Sequence, residues 1–141
     1  ENYPDIIGIG GDMDFSNFQD AELLADVSGY KGLQKIKKAY IDKGVPVYLG
    51  EMGCSRHKAE DLPYQYYYFE YFCKAAADRL LPMYLWDNGA SGTGSEKHGY
   101  IDHGTGQYLD DVAKEAIGRI VKATTTKDAA YTLESVYNSA P

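Results

Sequence analysis

The chain has 141 residues, enough for one domain with a real core, and 44% of them are hydrophobic, which excludes a disordered chain. It carries 21 acidic against 14 basic side chains, a formal charge of -7. With no basic cluster to neutralise a row of phosphates, nucleic acid and an anionic membrane are excluded as partners, and a neutral ligand fits this balance.

No apolar stretch reaches the roughly 20 residues of a membrane span. The chain starts at Glu1, with neither an initiator Met nor a signal peptide, and is expected to be a processed or truncated product. Cys54 and Cys73 are the only cysteines; one disulfide or two buried free thiols both fit, and neither has metal-site or redox spacing.

In chain order, Asp5-Ile6-Ile7-Gly8-Ile9-Gly10 reads as a short buried strand. Residues 11–28 are polar and irregular, with one helical turn at Ala21–Asp26. A helix is predicted from Gly29, because Leu33, Ile36, Tyr40 and Ile41 repeat at helical spacing, and Gly44 stops it. Val45–Gly50 is the next strand. Asp61 is expected to cap a helix over Leu62–Arg79, with Pro63 in its first turn. Its stripe of Tyr64, Tyr67, Tyr68, Tyr71, Phe72 and Ala75 should face the sheet, leaving spare tyrosines on the surface.

Leu81–Trp86 is the third strand, followed by a glycine-rich loop over Asn88–Ser95 and a short extension at Gly99–Asp102. A last helix over Tyr108–Lys122 should bury Leu109, Val112, Ala116, Ile117 and Ile120. The tail from Ala123 to Pro141 has weak periodicity and is expected to lie across the surface. Apolar strands linked by amphipathic helices imply parallel pairing with right-handed crossovers. The fold class is therefore α/β. Three βα units do not close a (β/α)8 TIM barrel, which needs eight strands and about 250 residues.

Two strand ends stand out. Glu51 ends the run Val45-Pro46-Val47-Tyr48-Leu49-Gly50-Glu51-Met52-Gly53, delivering a carboxylate into a glycine-flanked turn. Such an acid can act as a nucleophile or as one of two carboxyls in glycoside hydrolysis; its bland alternative is a solvated loop acid. Trp86, the only tryptophan, ends the other run, and its flat face suits either a sugar subsite or a core cap. Asp87 and Asn88, with the Gly89–Gly94 loop, would hydrogen-bond hydroxyls. Gly89 and Gly94 have the spacing of a phosphate loop, but Ser95-Glu96 replaces the required Lys, which rejects a nucleotide. Asp12, Asp14, Ser16, Phe18 and Asp20 form an incomplete calcium loop, with Asn17 where glycine is needed. The three histidines suggest no metal triad; His98 is the one expected to touch substrate.

The run Val45–Gly53 resembles the seventh-strand signature of glycoside hydrolase family 5. Tyr84-Leu85-Trp86-Asp87-Asn88-Gly89 is similar to its eighth strand in the branch of bacterial endoglucanases and xyloglucanases, and Gly99-Tyr100-Ile101-Asp102 to the segment leading into its last helix. The resemblance covers roughly residues 29–122. It implies that residues 1–141 are the C-terminal part, strands six to eight, of a (β/α)8 catalytic domain, with 123–141 as a tail.

It further implies a retaining endo-β-1,4-glucanase in which Glu51 attacks the anomeric carbon and Trp86 floors a glucose subsite. The acid/base Glu, about 5–5.5 Å away in such enzymes, belongs to a fourth strand upstream of this chain. The family's sixth-strand His-x-Tyr has no counterpart in Ile7–Phe15. The expected partners are a β-glucan and the N-terminal part of the same barrel; the expected location is secreted, periplasmic or cell-surface, and no cofactor or metal is implied. A non-catalytic carbohydrate-binding or scaffold half-barrel, or one that dimerises to bury its strand edges, remains the alternative.

Overall fold

The structure, a computed structural model, describes residues 29–141, with side chains from Leu33 onward. The predicted strand over 5–10, the turn at Ala21–Asp26 and the acidic loop around Asp12 to Asp20 lie outside the described residues.

Helix α1 spans Gly29–Ala39 and turns Leu33 fully inward, with Ile36 packed beside it. Tyr40, predicted on the same stripe, is instead exposed. The α-helix ends one residue before it, and the tighter 3-10 turn Ile41–Lys43 takes over. Gly44 closes that turn in the left-handed region at φ 79°, its N–H donating to the Ile41 carbonyl at 2.9 Å.

Strand β1 is Leu49–Met52 and β2 is Met83–Leu85; they pair in parallel, as the alternation of strand and helix predicts. Both are shorter than predicted. Val45 gives its N–H back to the Tyr40 carbonyl, so the ladder opens only where the Leu49 N–H finds the Pro82 carbonyl at 2.9 Å. Pro82 has no N–H to return.

Between the strands runs α2, Leu62–Ala77, with Pro63 in its first turn. Asp61 does not cap it. The Asp61 carboxylate instead accepts the Lys58 N–H at 3.1 Å, inside a 3-10 turn over Ala59–Asp61 that feeds straight into the helix. Helix α2 is buried on nearly every side from Tyr67 to Ala76, because α1, α3 and α4 all pack against it. Of its tyrosines, Tyr67, Tyr68 and Tyr71 are core, while Tyr64 and Tyr66 are half-buried rather than free on the surface. The helix ends with a double closure: Leu81 N–H bonds to Ala76 and Leu80 N–H to Ala77. Leu80 takes the left-handed position at φ 59° that glycine usually fills.

Helix α3, Asp111–Thr125, starts three residues later than predicted because Asp110 caps it, its carboxylate accepting the Ala113 N–H at 2.7 Å. Its alanines Ala113, Ala116 and Ala123 are buried, letting the backbone approach α2, while Leu109, Ile117 and Ile120 pack at the margins. The tail departs from expectation. Residues 133–137 form a short helix, α4, capped by Thr132 and docked on α2 with Val136 fully buried. Tyr67 donates its hydroxyl to the Tyr137 carbonyl at 3.0 Å, and Tyr131 donates to Glu70 at 2.9 Å.

Candidate active site

The two strands are out of step by one residue. Leu49 pairs with Met83 and Met52 with Leu85, so Gly50 and Glu51 together face the single residue Tyr84. Such a bulge re-aims side chains. Without it, residues 49 and 52 would point to opposite faces; with it, Leu49 and Met52 both turn into the core and Gly50 and Glu51 are left exposed. The other face is aromatic. Tyr48 and Tyr84 meet edge to face at 5.7 Å, both largely exposed, and Trp86 follows on the same side two residues beyond Tyr84. Trp86 is 43% exposed, and its N–H donates to the Met52 carbonyl at 2.8 Å, which ties the two strand ends together. Glu51 and Trp86 thus stand at the same end of neighbouring parallel strands. Among the described residues no side chain hydrogen-bonds the Glu51 carboxylate.

Beyond Trp86 the chain makes a closed loop. Asp87 clamps its neck: one carboxylate oxygen accepts the Gly89 N–H at 2.8 Å, the other the N–H groups of Ile101 at 2.9 Å and Tyr100 at 3.3 Å. Partial burial alone would raise the pKa of that carboxyl, but those three donors, with His103 Nε2 at 3.3 Å, hold it below the usual carboxylate range. Asn88 donates to the Glu96 carbonyl at 2.9 Å and accepts from Ala90 N–H at 3.0 Å. Asp87 and Asn88, expected to meet sugar hydroxyls, have their side chains committed to this loop. The Asn88 N–H donates to the His98 carbonyl and the Gly99 N–H to the Ala90 carbonyl, completing the neck.

His98, expected to touch a substrate, is only 7% exposed and lies against Gly53. Gly53 and Gly99 were not singled out as site residues by sequence. A side chain on Gly99 would stand 2.6 Å from the Ala90 backbone, so only glycine lets the two arms of the loop touch. A glycine two residues past a strand-end acid was the signal available for Gly53. Among the described residues no group of three His, Cys, Asp or Glu is gathered as a metal site. An open groove of about 490 Å³ beside the residues leading into β2 is lined by Met52, Cys73, Leu80, Pro82 and Ile120, and is too apolar to orient a sugar.

No family model matches the chain. A curated endoglucanase B of Neocallimastix patriciarum is 30% identical over 98 residues, 67% of this chain and 20% of its own length. A Bacteroidetes-affiliated family 5 cellulase, linked with a polysaccharide utilization locus, superposes with a TM-score of 0.75 at 40% identity, over 79% of this chain and 29% of its own. The chain is a relative of glycoside hydrolase family 5. A broad-specificity family 5 endoglucanase from Bacteroides salanitronis gives a TM-score of 0.63 at 34% identity, covering 76% of this chain and 27% of that one. A family 5 lichenase from Caldicellulosiruptor sp. F32, crystallised with cellotetraose, is 27% identical with a TM-score of 0.61, over 74% and 26% of the two chains. This chain therefore spans about a fifth of the curated relative and under a third of each solved family 5 structure. The β1–β2 pair and its helices accordingly match part of a family 5 fold.

Proposed function

We propose that the chain is the C-terminal part, about three βα units, of a retaining endo-β-1,4-glucanase, with Glu51 as nucleophile and Trp86 as a sugar floor. The observation that carries this reading is the bulge, which turns Glu51 out of the core beside the strand that ends in Trp86. A carboxylate so placed could attack an anomeric carbon and form a glycosyl-enzyme that water then hydrolyses. The acid/base would come from an upstream part of the barrel, whose strands would also cover Tyr48 and Tyr84. Glu51 alone should turn over little, because general acid–base help is typically worth about 10²–10⁴-fold. A glucan polymer cannot enter a cell, so secretion or surface display accords with this role.

The test mixes this chain with the upstream part of a family 5 barrel and a chromogenic cello-oligosaccharide. Turnover should appear on mixing and vanish with Glu51→Gln; survival of turnover in that variant would remove the nucleophile assignment. Saturable binding that needs Trp86 but no hydrolysis under any combination would favour a carbohydrate-binding half-barrel.

A further inference from the structure

His98 is 93% buried by residue surface yet makes no hydrogen bond through Nδ1 among the described residues, and that atom is closed to solvent. A nitrogen so enclosed is not available to a bound sugar. What it does touch is informative. A Cβ placed on Gly53 would stand 3.0 Å from His98 Nδ1, 3.3 Å from His98 Cε1 and 3.8 Å from Trp86 Cβ. The space above Gly53, two residues past Glu51, is therefore filled by the imidazole and by the root of the indole.

The backbone of His98 is pinned on both sides. Its own carbonyl accepts the Asn88 N–H at 3.1 Å, and the next residue, Gly99, is pressed against the Ala90 backbone. The two residues after that are held by the Asp87 carboxylate. A pinned neck thus holds one planar side chain against Gly53, where the root of Trp86 also approaches.

We infer that His98 is a positioning residue, a wedge that packs on Gly53 and holds the Trp86 side chain in its orientation beside the Glu51–Gly53 turn, with Gly53 left bare to receive the ring. The backbone of that turn is already tied to Trp86 through Met52. The inference rests on the glucanase reading for its consequence, the alignment of acid and sugar floor, but not for its geometry. The ring acts by shape, so a planar hydrocarbon should replace it and a small side chain should not.

The test uses the 141-residue chain, whose single tryptophan, excited at the red edge where its 14 tyrosines do not absorb, makes the emission a report on Trp86 alone. Acrylamide quenching is measured without ligand, and cellotetraose is titrated against the emission, with far-UV circular dichroism confirming that each variant is folded. His98→Ala should raise quenching and weaken cellotetraose about fivefold, the scale of coupling between touching residues. Gly53→Ala should do the same by pushing the ring away, His98→Phe should stay close to the parent, and Gly53→Ala with His98→Ala should recover much of the loss. Additive losses in the double variant, or unchanged quenching in His98→Ala, would overturn the wedge. If the parent chain binds no cellotetraose even when mixed with the upstream part of a family 5 barrel, the glucanase reading fails while the ligand-free quenching series still decides the wedge.

Discussion

Gly99 shows how much one hydrogen atom in place of a methyl can fix. Its missing side chain lets the arms of the 88–99 loop meet at backbone distance, and that contact holds His98 and Tyr100 where they are. Gly99→Ala should cost about 1–3 kcal/mol, the range of overpacking in a tight site, and should red-shift Trp86 emission as the neck opens; urea melts followed by fluorescence measure both. The two thiols make a second prediction at this scale. Cys54 and Cys73 are free and buried, which resolves the choice between a bridge and two thiols. Burial pushes Cys73 up to about 12 and Cys54 well above its ordinary value. Neither should react with a thiol reagent at neutral pH until denaturant is added, and stoichiometric labelling of the native chain would contradict this burial. The strand-end positions of the two candidate residues, Glu51 and Trp86, were legible because each closes an apolar run. The packing of His98 on Gly53 was not, since a loop eleven residues long intervenes between Trp86 and His98 and only its closure brings the ring back.

Among the elements, the tail was misjudged for a physical reason. Its five-residue helix has too few turns to show periodicity, and beside the buried Val136 its attachment to α2 runs through polar groups that hydrophobic patterning ignores. Glu70 on α2 is buried and accepts from Arg119 at 2.9 Å, from Lys122, and from the Tyr131 hydroxyl. Its desolvation would raise the carboxyl's pKa, but the bonds from Lys122, Arg119 and Tyr131 outweigh it and hold the group below its ordinary value. A carboxyl depressed in the folded state adds stability above its unfolded pKa of about 4.3 and loses it as pH falls through the lower folded value. Thermal melts should therefore fall off below about pH 4.3, with the tail among the first parts to loosen. Glu70→Gln should flatten that acid limb and cost about 1–3 kcal/mol at neutral pH, the worth of hydrogen bonds to charged groups. An unchanged acid limb in the variant would show that other carboxyls govern it. By contrast α1, α2 and α3 were readable, because each repeats apolar residues over three turns or more.

At the scale of the molecule, the two-stranded sheet presents Tyr48, Tyr84 and Trp86 outward and leaves an apolar groove at Leu80 and Ile120. Short sheets with an aromatic face rarely stand alone in water. In sedimentation the chain by itself should run heavier than its 15.6 kDa monomer. Adding the upstream part of a family 5 barrel should convert it to a one-to-one complex; a monodisperse monomer indifferent to that addition would argue against barrel completion. Over the described residues, sequence by itself determined the order of strand and helix, the parallel pairing and the placing of Glu51 and Trp86 at strand ends, because period and punctuation are local properties of the chain. Tertiary structure alone decided which way Glu51 faces, that Asp87 and Asn88 hold a loop, and that the tail docks. Those depend on a one-residue slip between strands and on contacts between residues far apart in the chain, and neither leaves a repeating pattern to read.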